Sequence, residues 1–435
     1  MLPFFICVNP ECFSFISCFL FKIFAKTYNL FMQNFNSIQG IREVQHFGEE
    51  GGVVPVIDVA STSTFLNPKD MERTFMGELQ GCYLYSRHSN PTVNIFGKKI
   101  AAMEGAEAAL GVASGMAAIA CTVDQVFRNF HNTDGGHLIS SLTVYGGTYA
   151  LFKNVLPSQK IDVDFVDIRD LKKVESLITK KTRMIYAETL SNPLLNVSDI
   201  EALSKLAKKY NLKLVIDNTF TPMIVNPIKF GADIVIHSCT KYISGASDFI
   251  AGAIVGSQEF INSLIDVNFG SVMLTGPVMD PRVAHELYLR LDHLPIRMKA
   301  HSETALFFAT KMQAMNLKVI YPGLENHPQH HEMKKMMNAE FGFGAILTLE
   351  CESVEKAVEL ATLLQNEKFG LYAVSLGFSR TLMSCPAKST SSEIPEDKQK
   401  EMGMSAGLLR MSIGYTGDKN IMWDKFVRCY KKVNA

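Results

Sequence analysis

A lysine at the end of a buried strand calls for explanation. In the stretch ADIVIHSCTKYISGASDFIAG (232–252) an apolar run, Ile234 to Ile236, reads straight into His237, Ser238, Cys239, Thr240 and Lys241. Such an amine is poorly placed for ordinary solvation, with two hydroxyls at close spacing and a glycine-containing turn after it. Either it escapes to the surface, or it has a partner that requires an amine. Other polar residues stand at comparable points. Asp217 ends LKLVID, Glu188 and Asn192 follow RMIYA, and Tyr145 follows HLISS after a short link. Ser114-Gly115-Met116 opens a helical stretch, where free N–H groups make a phosphate site. Each has a plainer reading. Asp217 can cap the turn DNTFTP, Ser114 can be only an N-cap, and Gly146-Gly147 only a loop. Taken singly, the plainer readings win; taken together, they do not.

These residues need elements to bring them together. IDVDFVD, TRMIYAE, LKLVID and ADIVIHS read as short continuous apolar strands. Helical stretches such as DIEALSKLAKKY separate several of them. That alternation is the mark of a parallel α/β sheet, whose ligands collect beyond the carboxyl ends of the strands. TVNIFGKKIAAMEGAE and SGMAAIACTVDQVF read as helices ahead of it. After Asp292 a helix, SETALFFATKMQAM, a strand, GAILTLEC, and a helix, SVEKAVELATLL, indicate a smaller α+β domain. The expected organisation is an extension over 1–31, an arm over 32–90, a large domain over 91–291 and a smaller one over 292–435.

The chain has 435 residues, with 43 Lys+Arg balanced by 43 Asp+Glu and 47% apolar residues. No long basic block argues for nucleic acid or a membrane surface. Nine scattered cysteines, with no CxxC pair, point to a reducing compartment and a cytoplasmic location. In the Phe- and Cys-rich first 31 residues, the longest apolar stretch, 12–21, is too short to span a bilayer. It lacks a basic start and makes a poor signal peptide, so the segment reads as a disordered or non-native extension ahead of Met32, with a membrane anchor or transit peptide as the alternative. His327, His330 and His331 in ENHPQHHEM are loosely spaced in a Pro- and Gly-containing loop and read as solvated, with no metal.

The joint pattern resembles the Cys/Met-metabolism pyridoxal-phosphate enzymes. YSRHSNPT (85–92), ASGMAAI (113–119), YGGT (145–148), ETLSNP (188–193), VIDNTFTP (215–222), HSCTKYISG (237–245) and LLRMSIG (408–414) occur in the family's order. The resemblance runs from about Gln45 to Gly414. It implies the aspartate-aminotransferase-like fold of type I pyridoxal-phosphate enzymes, a homotetramer of two active dimers, and pyridoxal 5'-phosphate as cofactor. Lys241 would carry the cofactor's aldehyde as a Schiff base and then shuttle protons. Asp217 would pair with the pyridine nitrogen. Tyr145 would stack on the ring and act as a general acid or base. The amides of Gly115 and Met116, with the hydroxyls of Ser238 and Thr240, would hold the phosphate. Tyr85 and Arg87 match residues that reach the phosphate from the neighbouring subunit. Asn192 matches a residue near the cofactor's phenolic oxygen. Arg410 matches the fork that clamps the substrate carboxylate, and Ser375 a positioning residue in that pocket.

Within the family the implied activity is that of a carbon–sulfur lyase acting on a sulfur amino acid and giving a 2-oxo acid, ammonia and a thiol. Cystathionine-handling members usually carry Glu before the SLG serine, where this chain has Val374, as methionine γ-lyases do. Methionine γ-lyases usually carry Cys after YG, where this chain has Gly147. Further departures fall at Ala246, Arg380, 389–392 and 415–418, where the substrate side chain would lie. The alternatives are a γ-replacement transferase of the cystathionine γ-synthase or O-acetylhomoserine sulfhydrylase type and, from another class, an aminotransferase. YGGT and YSRHSNPT disfavour the aminotransferase, and the joint presence of Lys241, Asp217, Tyr145 and Arg410 disfavours a catalytically dead scaffold.

Overall fold

The computed structural model describes residues 36–44, 52–79, 81–129, 135–386 and 396–435. The expectation for 1–31 and the departure at 389–392 lie outside these residues. Two sheets organise the chain. The first has seven strands: β1 (Ala108–Val112), β2 (Gly136–Ser141), β3 (Ile161–Val166), β4 (Thr182–Glu188), β5 (Lys213–Asp217), β6 (Ile234–Ser238) and β7 (Gly252–Gly256), in the order β1-β7-β6-β5-β4-β2-β3. Pairing is parallel from β3 to β6, and β7 runs antiparallel to both β6 and β1. The central strands are buried on both faces, which is why they read as unbroken apolar runs rather than alternating ones.

The parallel register puts several strand ends side by side. Glu188 lies opposite Asp217, and Asp217 opposite Ile236, so the ends of β4, β5 and β6 form one rim. Helix α1 (Pro91–Glu104) packs on β1. It starts at Asn90, whose carboxamide accepts from the amides of Thr92 and Val93, and Pro91 at the first turn forgoes a donor the helix does not need there. Helix α2 (Gly115–Asn129) packs on β6 and β7 and begins at the rim.

Helix α3 (Ile200–Lys209) joins β4 to β5. Helix α4 (Pro281–Ala314) then runs without interruption for 34 residues. The boundary expected between 291 and 292 therefore falls inside a single helix, which joins the two sheets. Beyond it stands a five-stranded sheet: β8 (Val319–Ile320), β9 (Ile346–Glu350), β10 (Gly370–Tyr372), β11 (Thr381–Ser384) and β12 (Leu408–Ser412), in the order β10-β11-β12-β9-β8. Helices α5 (Val354–Asn366) and α6 (Lys419–Val433) pack on each other beside it, around a core that includes Phe308, Phe369 and Phe426. Among the described residues no helix is long and apolar enough to cross a membrane.

Candidate active site

The rim of the large sheet, with Arg410 of the smaller sheet and the 374–376 segment, lines a cavity of about 290 Å³. Its walls hold Gly115, Met116, Tyr145, Asn192, Asp217, Ser238, Thr240, Lys241, Ser375 and Arg410. These residues come from seven separate segments of chain, and the fold brings them into one place. Tyr85 and Arg87 stand outside it. Arg87 donates to the carbonyl of Met273 (2.6 Å) and lies over the Tyr85 ring, and Tyr85 is exposed. The single chain does not bring this pair to its own cavity.

Lys241 follows β6 by three residues, in a turn closed by its own N–H on the carbonyl of Ser238 (3.1 Å). Its Nζ donates to Ser375 Oγ at 2.9 Å. Burial, with the Arg410 guanidinium as a second cation nearby, lowers this amine to about 8. The amine is only partly exposed, and among the described residues it has no carboxylate partner. Gly377, at φ 79°, lets the neighbouring segment close on this turn, since a Cβ there would stand 2.7 Å from the Tyr242 nitrogen. Ser375 itself sits at φ 90°, a costly conformation for a serine. That geometry turns its hydroxyl to Lys241 while its carbonyl accepts from Arg410 Nη2 at 3.0 Å.

Arg410 occupies the middle of β12, between Thr348 of β9 and Ser384 of β11. It is 1% exposed. Besides Ser375 it donates from Nη1 to Asn192 Oδ1 at 3.1 Å, while its Nε is buried without a partner. Desolvation lowers its pKa to about 10. A buried cation whose two acceptors are both neutral is a receptor for an anion.

Asp217 caps its turn, as the plainer reading allowed: its Oδ1 accepts from the Thr219 amide at 2.9 Å. It also lines the cavity, so the two readings are compatible. Burial pushes its carboxyl up, and the bonds from Thr219 and the nearby His237 imidazole pull it back. Glu188, opposite it in register, is driven well above the usual carboxylate range by burial and then by Asp217 itself. Glu188 Oε1 accepts the backbone N–H of Tyr145 at 2.7 Å and so fixes that tyrosine, which is half-exposed at the mouth. From the sequence Glu188 is only a strand end; the fold makes it the anchor of Tyr145. The signal was parallel register, which a single strand does not carry.

The start of α2 also keeps both readings. Ser114 Oγ accepts from the Ala117 amide at 3.0 Å, an N-cap, and this leaves the amides of Gly115 and Met116 at the open end of the helix. A Cβ at 115 would stand 2.7 Å from the Ser238 Cβ, so glycine is what lets the helix end meet β6. Thr240 Oγ1 is engaged with the backbone of Ala251, accepting from its N–H at 3.0 Å and donating to its carbonyl at 3.2 Å. Ser114, Ile119, Glu188, Leu190, Thr219, Phe220, Ile250, Val374 and Leu376 also line the cavity. Of the histidines in 327–331, His330 is buried, stacked on Phe343 and bonded to the Pro322 carbonyl, so that loop is packed rather than solvated. Among the described residues no group of three or more His, Cys, Asp or Glu side chains is arranged to hold a metal.

The chain and its fold are similar to those of known enzymes. The chain is 44% identical over 400 residues to a methionine gamma-lyase of Arabidopsis thaliana, covering 90% of each. A crystal structure of cystathionine gamma-lyase from Lactobacillus plantarum, complexed with L-serine, matches with a TM-score of 0.80 at 31% identity, over 92% of this chain and 99% of that one. A putative O-acetylhomoserine (thiol)-lyase from Campylobacter jejuni, whose structure carries an N'-pyridoxyl-lysine-5'-monophosphate, matches with a TM-score of 0.83 at 27% identity, over 91% of this chain and all of that one. The family model for Cys/Met metabolism PLP-dependent enzymes covers residues 38–424, and with the relatives it establishes that the chain belongs to that family.

Proposed function

We propose that the protein is a pyridoxal-phosphate-dependent carbon–sulfur lyase that cleaves methionine or a similar uncharged thioether amino acid, releasing a thiol, ammonia and a 2-oxo acid. For methionine, one water is consumed and methanethiol, ammonia and 2-oxobutanoate are formed. The observation that carries the reading is the pairing of two groups in one cavity. The Lys241 amine is held 2.9 Å from Ser375 Oγ, and the Arg410 fork is bound to the carbonyl of the same serine.

The residues present fit the cofactor. The open first turn of α2, with Ser238 and Thr240 beside it, has the donors and the helix polarity that a phosphate needs. Asp217 supplies a buried acid for a protonated ring nitrogen, and Tyr145 and Asn192 line the space between. When bound, pyridoxal phosphate supplies an electron sink for the charge left as a proton leaves the carbon bearing the amino group. Arg410 holds the substrate carboxylate and so orients that carbon. The Lys241 amine takes the proton there and returns one later, a task suited to a base brought near neutral pH. Tyr145, pinned through its backbone by Glu188, gives a proton to the departing sulfur. Tyr85 and Arg87, turned away from this chain's cavity, serve the site of a second copy in a dimer; the tetramer pairs two such dimers.

The side-chain end of the cavity supports an uncharged substrate. Val374 is 61% exposed and Ile250 72% exposed, and with Leu190, Phe220 and Leu376 they give this end an apolar wall. Introducing a carboxylate by Val374→Glu is expected to raise the kcat/KM ratio of cystathionine to methionine about two- to fivefold. That is the size of a solvent-accessible ion pair to the second amino group, worth roughly 0.5–1 kcal/mol. Steady-state kinetics on both substrates measure it, and an unchanged ratio would remove Val374 from the account of specificity.

The activity test is formation of 2-oxobutanoate from methionine, cystathionine and homocysteine in turn; failure with all three would sink the proposal. The pH profile gives a second check. Because the Lys241 amine titrates near 8, it is protonated below that value and free to take a proton above it. The rate is therefore expected to rise through about pH 8 and then level off. A flat profile from pH 6 to pH 9 would argue for a different base.

One observation favours γ-replacement as a second reading. A Cβ at Gly147 would stand 2.6 Å from Tyr145 Cε1, so the Tyr145 ring occupies the space a cysteine would need there. A replacement enzyme forms product only when an activated homoserine and a thiol or sulfide are supplied together.

A further inference from the structure

Three polar side chains meet behind the cavity wall, on the face of the strands that the cavity does not use. His237 Nε2 lies 2.7 Å from Glu104 Oε1, and Asn218 Nδ2 donates to the same oxygen at 3.0 Å. Asn218 Oδ1 accepts in turn from Thr189 (2.9 Å) and Thr221 (2.6 Å). Glu104 and His237 are 1% and 0% exposed. Glu104 Oε2 and His237 Nδ1 have no partner. Alternation along a strand explains the placement. Asp217 and Ser238 line the cavity, so Asn218 and His237, one residue on and one residue back, face away from it.

The fold gains little from this cluster. Glu104 is the last residue of α1, where the helix dipole opposes a carboxylate. A buried acid–imidazole pair seldom stabilises more than an apolar pair of like volume, and each orphaned atom adds a cost. A cluster that is dear to keep, tied to three strand ends at once, points to a task at those ends.

We infer that Glu104 and His237 are positioning residues for the cofactor's ring site: from behind, they fix the ends of β5 and β6 and hold Asp217 in its place and charge. The inference rests on the reading of Asp217 given above. The linkage is short. Asn218 is bonded to Glu104 and adjoins Asp217 in the chain, and its N–H donates to the Ile236 carbonyl at 2.9 Å. Ser238 N–H donates to Thr219 Oγ1 at 2.8 Å, tying the His237 segment to the turn that Asp217 caps. The charged and titratable groups around Asp217 are Glu188 and Tyr186 on β4 and His237 on β6, with Glu104 behind. The Thr219 bonds oppose the neutralising effect of burial on Asp217 most, and the His237 imidazole adds to them. Neither residue touches the cavity, and both act through Asp217.

The test measures cofactor dissociation constants by equilibrium dialysis with pyridoxal phosphate, from pH 6 to pH 9, together with melting temperature. Wild type is compared with Glu104→Gln, His237→Gln and the core control Leu203→Ala. Glu104→Gln and His237→Gln are expected to weaken cofactor binding at least tenfold and to alter its pH dependence. Leu203→Ala is expected to lower the melting temperature while leaving the dissociation constant within twofold. Should a single variant fail to fold, Glu104→Leu/His237→Leu, which strands neither partner, is expected to show the same loss of affinity. Binding within twofold of wild type, or a loss that Leu203→Ala reproduces at equal melting temperature, overturns the inference. A wild-type protein that takes up no pyridoxal phosphate overturns the reading of the site itself and this inference with it.

Discussion

Replacing Lys241 by alanine is expected to abolish the borohydride-sensitive visible absorption of the cofactor-loaded protein and to lower kcat by about 10³-fold or more. The size follows from the loss of the group that carries the proton, worth roughly 10²–10⁴ on its own, with the loss of the cofactor's covalent anchor added to it. Folding is not expected to suffer. Lys241 is a half-buried amine beside the buried Arg410 guanidinium, which disfavours its charge. Removing the amine relieves that repulsion and leaves Ser375 Oγ without a donor, so the melting temperature should stay within a few degrees of wild type. Lys241→Arg separates charge from base strength. It keeps a cation, but a guanidinium does not give up its proton near neutral pH, and it should be as slow as alanine. An arginine variant with substantial activity would show that Lys241 serves as a charge and not as a base.

The same residue shows how far the sequence could be read. Lys241, Asp217 and Tyr145 follow strands whose apolar runs are plain, and in a parallel sheet strand ends collect on one rim. Their approach was therefore foreseeable, together with the start of α2. The partners of Lys241 were a different matter. Ser375 lies 134 residues further along the chain, in an irregular segment whose only local oddity is a glycine two residues later. Its role depends on a positive φ that serine rarely adopts, and no residue pattern announces that. Resemblance supplied Ser375 and Arg410 where periodicity could not. Glu104 shows the opposite limit. It ends a helix with a mostly buried face and looks like an ordinary polar terminus, and only the folded chain sets it against His237, 133 residues away. The expected boundary at 291 falls within one continuous helix. The change in composition after Asp292 is real, but helix propensity and a buried stripe continue through it, with Pro295 accommodated inside the helix.

Arg410→Ala is expected to lower kcat/KM for methionine about 10²–10⁴-fold, the value of two charge-assisted hydrogen bonds of roughly 1.5–3 kcal/mol each. Arg410 is held on a central strand and aimed by Asn192 and Ser375, so its fork is set before substrate arrives. Little ordering entropy then opposes binding. Its own acceptors are neutral, and its Nε has none. An arriving carboxylate would thus supply the counter-charge that the buried guanidinium lacks. Arg410→Lys keeps a point charge but loses the planar fork, and should fall between alanine and wild type. The variant alone could act by loosening Ser375 and, through it, Lys241. Two ligands distinguish these routes: methionine and 3-(methylthio)propylamine, the same chain without the carboxylate. Their dissociation constants can be read from the change each causes in the visible spectrum of the loaded enzyme. If Arg410 clamps the carboxylate, the alanine variant weakens methionine about 10²-fold or more and leaves the amine nearly unchanged. Equal weakening of both ligands would mean that Arg410 works by holding Ser375 and Lys241 in place, and that the carboxylate is bound elsewhere.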